Sequence, residues 1–389
     1  MTTTINNEHK KLNVPNLRFP EFSGEWEEHG LSELLDFKNG LNPKPDKFGK
    51  GIKFISVMDI LNNAVITYDS IKASVEVTEK ELSDFSVEKG DLLFQRSSET
   101  LEDVGRANVY MDDKTAVFGG FVIRGKKNGE YNPLFFRYLL ASPFARKKVI
   151  PMGAGAQHFN IGQEGLSKVN LYFAPPKEQD KIARLLSLLD ERIATQNKII
   201  EDLKKLESAI SNNLFKGING EVVMLSEICE ITKGKQINGE ILSESGKYYV
   251  MNGGTEPSGY YSDYNVEANT ISISEGGNSC GYVQFNTSPF WSGGHCYTIQ
   301  KIADNVNNLY LYHYLKSQED AIMKLRIGSG LPNIQKKDLA MFMIKIPTLE
   351  QQTKISTFLS SLERKAKIEE HILNAILKEK QYLLRQMFI

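Results

Sequence analysis

Cysteine is scarce: three residues in 389, at Cys229, Cys280 and Cys296. An odd, sparse set fits a reducing cytoplasm better than a disulfide framework. Long apolar runs are missing too, so no transmembrane helix is expected. The polar start "MTTTINNEHKKLNVPNLRFP" lacks the apolar stretch of a signal peptide. Charge of one sign is also absent. Lys and Arg total 47 against 48 Asp and Glu, for a net charge of −1. Any nucleic-acid surface must then be local, with acidic residues segregated elsewhere. Catalytic signatures are missing as well. There is no G-x-x-x-x-G-K-[ST] phosphate loop and no C-x-x-C pair. The string closest to an Asn/Asp-Pro-Pro-aromatic methyltransferase motif, "NPLF" at Asn132, lacks the second proline. Cys280, His295 and Cys296 make an awkward zinc set with no evident fourth ligand, so no metal is expected. Glu275 and His295 could pair for acid–base work, but no nucleophile or second carboxylate has a defined place beside them.

What the chain does contain is a repeat. "PPKEQDKIARLLSLLDERI" from Pro175 is echoed by "IPTLEQQTKISTFLSSLERK" from Ile346. The first copy carries a seam of Ile182, Leu186, Leu189, Ile193, Gln196, Ile200, Leu203, Glu207, Ile210 and Leu214. The second carries Ile355, Leu359, Leu362, Ala366, Glu369, Leu373, Ile376, Lys380, Leu383 and Met387. Steps alternating four and three are the heptad signature of a coiled-coil helix. The polar interruptions coincide as well, Gln196 with Glu369 and Glu207 with Lys380, and Phe215 matches Phe388. Each helix follows a proline and has glutamate in its first turn, and the first stops near Gly217 and Gly220. Roughly 35 residues of helix span about 50 Å. A narrow apolar stripe cannot hold such a helix alone, so the two are predicted to pack antiparallel, with Gln196 and Glu369 as a central polar layer. The alternative is that each helix packs only on its preceding domain.

The likeness extends upstream. "NPLFFRYLLAS" resembles "NNLYLYHYLKS", and Gly153, Asn160, Ile161 and Leu166 match Gly328, Asn333, Ile334 and Leu339. "FGGFVIR" resembles "SGGHCYTIQ", and "LSELLDFKNG" resembles "LSEICEITKG". From Leu41 to Lys114 and from Lys235 to Pro289 little correspondence is visible. The order is thus a tail (1–15), a first globular unit (16–174), a helix (175–220), a second unit (221–346) and a second helix (347–389). Alternating β-branched and aromatic runs between turn signals make each unit α+β, a curved sheet with a few helices. A repeated scaffold with divergent middles suits two similar platforms carrying different binding loops.

These features resemble the specificity (S) subunit of type I restriction–modification systems across nearly the whole chain. The likeness is carried by the two "P…EQ…KI…L" helix starts, by "VPNLRFPEFSGEWEEHGLSEL" and "GEVVMLSEI" read as leading strands, and by "ISISEGGNSCGYVQF…PFWSGGHCYTI". The resemblance implies two target-recognition domains, each reading one part of a split, asymmetric DNA site. It implies that the helices act as spacers and dock methyltransferase subunits, two of them, and through these the restriction subunits. No catalysis is then expected on this chain. S-adenosylmethionine, ATP and Mg would belong to the partners. The residues alone also admit a non-catalytic scaffold that binds protein or RNA through paired loop-bearing domains.

Candidate DNA contacts fall in loops. In the first domain they are Lys44, Lys47, Lys50 and Lys53 in "NPKPDKFGKGIKF", suited to phosphates, and Arg96, Ser97, Ser98 and Arg106. The two arginines either read guanine or pair with Glu99, Glu102 or Asp103. Gln157, His158 and Asn160 lie in a glycine loop. In the second domain the candidates are Lys233, Lys235, Gln236, Asn252, Thr255, Ser258, Tyr260, Tyr261, Ser274, Asn278, Arg326, Ser329 and Asn333, with the tyrosines equally placed to be core.

Overall fold

The structure, a computed structural model, describes residues 12–328, 330 and 332–389. Ser329 and most of the tail lie outside the described residues. The chain forms two compact units: residues up to Gln196 with Ile372–Ile389, and Asn197–His371. Each unit thus holds one globular domain and half of each long helix.

The helices are longer than expected, 42 residues at Pro176–Gly217 and 38 at Leu349–Gln386. Every seam position named above is buried or half-buried, and Gln196 is among the buried ones. In the first unit the helical stretches run antiparallel. Asp190 meets Lys380, while Ile182 and Leu186 share a core with Met387 and Phe388. The second unit repeats this, with Lys204 Nζ 2.6 Å from Glu370. The helices also pack on globular cores. Ile182, Ala183 and Leu186 enter the first core, and Leu359 enters the second. The helices therefore pack on each other as expected, and they pack on the globular domains as well.

The matched phenylalanines close each unit. Phe388 packs on Phe135 and Trp26, with ring centroids 5.6 and 6.2 Å apart. Phe215 packs on Tyr314 and Tyr310, at 5.2 and 5.8 Å. Gln179, the glutamine of "KEQ", and Gln352, the second glutamine of "LEQQ", are buried clamps at matching places. Gln179 Oε1 accepts from the Asn132 N–H at 2.9 Å, and its amide donates to the Ala174 carbonyl at 2.8 Å. Gln352 likewise accepts from Asn307 at 2.7 Å and donates to Pro347 at 2.9 Å. Asn132 and Asn307 each cap the helix that follows, accepting from Phe135 and Tyr310 at 3.0 Å. A buried amide with all these bonds made is stabilising, and one bond lost leaves an orphaned group.

Each domain is built on the same four-stranded antiparallel sheet. In the first the order is Leu35–Asn39, Val122–Lys127, Leu92–Gln95, Ala107–Val109. In the second it is Glu230–Lys233, Cys296–Gln300, Thr270–Ser274, Val283–Asn286. Beside it, Phe48–Ile55 runs parallel to Ala116–Phe118, as Tyr248–Met251 does to Trp291–Ser292. The middles that looked unrelated in sequence thus share their strands. Buried strand positions demand apolar, β-branched or aromatic character, not identity. The divergence lies in what joins them, such as the helices Val57–Asn62 and Glu79–Phe85 in the first domain.

Two pairings correct the sequence reading. Ala154 and Asn160 exchange backbone hydrogen bonds as Ile327 and Asn333 do, so Gly155, not Gly153, corresponds to Gly328. Both of these glycines have positive φ, +148° and +101°, which explains why glycine recurs there. The leading stretch before Glu27 is not a strand. It is an irregular arm, and only Glu27–Gly30 pairs, with Asn170–Phe173. In the second domain the leading stretch is a strand as read, Glu221–Met224, and it pairs with Met343–Ile346. Gly40 and Gly234 serve close approach. A methyl group on either would overlap the carbonyl oxygen of Gly119 or Gly293.

The buried His313 gives the second unit a pH dependence. Its Nε2 lies 2.9 Å from Ser360 Oγ, and burial holds its pKa down at about 4, against a smaller opposing pull from Glu363. A lowered pKa means that the folded state stays neutral while the unfolded state takes up a proton below about pH 6.5. Stability present above pH 6.5 is therefore lost as pH falls toward 4, by up to about 3 kcal/mol. His313→Gln should flatten that part of a urea-midpoint profile relative to wild type. Parallel profiles would remove His313 as the cause.

Candidate nucleic-acid interface

The strand that ends at Gln95 delivers its next residues to an exposed edge. The Arg96 N–H donates to the Phe121 carbonyl at 2.9 Å, and the Arg96 carbonyl accepts from Ile161 at 2.9 Å. Its guanidinium donates to the Gly120 carbonyl at 3.2 Å. Ser97–Ser98 then pairs with Phe159–Asn160, and Ser97 Oγ bonds Asn160. The fold thus gathers Arg96, Ser97, Ser98 and Asn160 from distant stretches, with exposed Gln157 and His158 beside them. Arg106 stands apart in an ion pair with Asp103, 2.6 Å away, as its alternative reading had it.

The lysine group divides. Lys44 and Lys47 are exposed around the turn Pro45–Lys47. Lys50 and Lys53 lie on the strand Phe48–Ile55 instead of in a loop. Lys50 pairs with Glu76 at 3.0 Å, and Lys53 donates to the Ile71 carbonyl at 2.6 Å, which ties Lys53 to the protein. Next to this group the sequence reading missed an open cavity of about 420 Å³, lined by Asn42, Phe48, Met58, Ser97 and Phe121 among others. Phe121 is 68% exposed. A phenylalanine directly after the tight Gly119-Gly120 pair was the available signal, since such a turn leaves the next side chain little core to enter.

The second domain repeats the frame with different side chains. The Glu275 N–H donates to the His295 carbonyl at 2.9 Å, and its carbonyl accepts from Ile334 at 2.8 Å. Glu275 therefore occupies the position of Arg96. Asn333 pairs with Gly276 and with Ile327, so the Arg326–Asn333 loop meets the loop that bears the exposed Asn278. Lys233 Nζ lies 2.6 Å from Glu275 Oε1. Lys235 and Gln236 are exposed, as are Thr255, Ser258 and Arg326. Asn252 accepts from the His295 N–H at 3.1 Å. Tyr260 and Tyr261 are half-buried in a short strand, Tyr261 edge-on to Trp291 at 5.2 Å. Ser274 is a correction: it is buried, its hydroxyl donates to the Gly253 carbonyl at 2.6 Å, and it has no free face for DNA.

Cys280 donates to the Glu275 carbonyl at 3.0 Å. The Cys296 thiol is pushed up to about 11 by burial, so it behaves as a packed side chain and not as a nucleophile. Among the described residues no group of three or more His, Cys, Asp or Glu side chains is placed to hold a metal ion. No described helix is long and apolar enough to cross a membrane.

A duplicated α+β platform, its copies alike in sheet and unlike in loops, and tied by two long helices, defines a two-domain recognition scaffold. The family model for the type I restriction modification DNA specificity domain matches residues 23–205 and 218–378, and the chain belongs to that family. Specificity subunits of these systems carry no catalytic centre of their own, and this chain is not an enzyme. A putative type I restriction enzyme specificity subunit of Methanocaldococcus jannaschii is 24% identical, over 97% of this chain and 96% of its own length. A putative type I specificity subunit of Mycoplasma pneumoniae is 34% identical, over 35% of this chain and 36% of its own. The crystal structure of a type I restriction–modification S subunit from M. genitalium superposes with a TM-score of 0.66 at 20% identity, covering 97% of this chain and 99% of that one.

Proposed function

We propose that this chain reads a split, asymmetric DNA site for a type I restriction–modification complex. Residues 16–174 and 221–346 act as the two target-recognition domains. One observation carries this reading: the same sheet presents the same edge in both domains with unlike side chains, Arg96, Ser97 and Phe121 in one where the other has Glu275, Gly276 and His295. Two unlike readers on one chain need two unlike half-sites.

The paired helices set the gap between half-sites and dock two methyltransferase subunits, through which a restriction subunit is recruited. S-adenosylmethionine, ATP and Mg are supplied by those partners. Side chains that contact phosphate release counterions, so affinity of the assembled complex for its site should fall steeply and linearly in log salt. With its methyltransferase subunit co-expressed, the chain should direct sequence-specific adenine methylation. Equal methylation after deletion of both recognition domains would refute the proposal.

A further inference from the structure

The platform position held by Arg96 in the first domain is held by Glu275 in the second, fixed by the same two backbone bonds. Its neighbours change with it. The strand registers set Lys233 where the first domain has Asn39, and Tyr297 where it has Ile123, while His295 replaces Phe121. One amide and two apolar side chains in one copy have become a cluster of three polar side chains in the other.

Glu275 is 7% exposed. Its Oε1 accepts from Lys233 Nζ at 2.6 Å and from the Tyr297 hydroxyl at 2.9 Å. Its Oε2 is buried with no hydrogen-bond partner, and the group facing it is His295 Nδ1, 3.7 Å away. A carboxylate oxygen left orphaned in a protein interior is costly and calls for a partner. Meanwhile the side chains that Glu275 holds or faces, Lys233 and His295, are themselves 52% and 61% exposed.

We propose that Glu275 is a positioning residue that aims Lys233 and His295 at a single G·C pair in the major groove. This rests on the DNA-reading function proposed above. A small shift of the exposed imidazole brings Nδ1–H onto Oε2, which fixes the tautomer and leaves Nε2 as a hydrogen-bond acceptor on the outer side of the ring. The Lys233 ammonium keeps donors to spare after bonding Oε1. A donor and an acceptor side by side match what one G·C pair displays: guanine O6 and N7 accept from Lys233, and the cytosine N4 amino group donates to His295. At the same point of the first domain the Arg96 guanidinium itself offers donors only. The second half-site is thereby made chemically different from the first at the same point of the platform.

The test is methylation mapping in cells that co-express the methyltransferase subunit with wild type, Glu275→Gln, His295→Ala or the double variant. Glu275→Gln and His295→Ala should each relax base preference at one and the same position of one half-site, cutting discrimination about tenfold, and leave the other half-site unchanged. The double variant should lose preference at that same position and at no other, because Glu275 acts only through Lys233 and His295. An unaltered motif in His295→Ala, whose exposed side chain is not needed for folding, overturns the proposal. So does a Glu275→Gln variant that methylates less at every site with its base preference intact, which marks a purely structural carboxylate. A wild-type chain that directs no bipartite methylation overturns the DNA-reading function itself, and this proposal with it.

Discussion

Replacing Arg18 by methionine is expected to lower the thermal midpoint of unfolding by roughly 10 °C. Arg18 grips Glu178 with both ends of its fork, Nε to Oε1 at 2.8 Å and Nη2 to Oε2 at 2.7 Å. The Glu178 side chain is fully buried at the start of the first long helix, and that of Arg18 is 13% exposed. Removing one partner of such a pair leaves an uncompensated buried charge, at a cost of about 3–5 kcal/mol. For a unit of this size each kcal/mol moves the midpoint by about 2–4 °C. The double variant Arg18→Met with Glu178→Gln should recover much of the loss, since it removes the stranded carboxylate. A single variant that melts like wild type would show that the irregular arm contributes no fixed structure. The arm is otherwise tied down nearby, for the Leu17 N–H donates to the Gln386 carbonyl at 2.9 Å and Trp26 lies in the core.

Arg96→Ala is expected to abolish base preference in one half-site and spare the other. Its guanidinium gives one hydrogen bond to the Gly120 carbonyl, which steers the fork but leaves most of its five donors free. A bidentate arginine–guanine contact discriminates by about 1–3 kcal/mol, or roughly 5- to 150-fold. Methylated-site mapping reads this directly. Preference lost in neither half removes Arg96 from the reading set, and preference lost in both assigns it a structural role.

The helices were legible because a heptad seam leaves a mark at every turn, and the matched polar interruptions ruled out coincidence. The ends of each domain were legible through residues that do one fixed job twice: Gly40 with Gly234, Asn132 with Asn307 and Phe215 with Phe388. The correspondence between the central strands was invisible because Leu92–Gln95 and Thr270–Ser274 meet the same packing demand with different side chains. Partner choice was equally hidden. Nothing in the sequence distinguishes Lys53, spent on a backbone carbonyl, from Lys44, which faces solvent. Ser274 looked like a loop hydroxyl and is a buried strand end. Phe121 and Met58 went unnoticed because apolar residues read as core until a fold exposes them.

The circular sharing of helices explains why the repeat includes its own ends. The last turn of the first helix fills the core of the second domain through Phe215, and the last turn of the second fills that of the first through Phe388. Truncating either buried phenylalanine side chain costs about 3–5 kcal/mol. The helices are thus part of both cores as well as of the seam.

The most direct measurement is a genome-wide map of methylated adenines in cells with and without this chain, its methyltransferase subunit present in both. Two unlike readers on one pair of helices predict a single motif of two different half-sites separated by a gap of constant length, seen only when the chain is present. A contiguous or palindromic motif, or one that persists in its absence, would contradict the account.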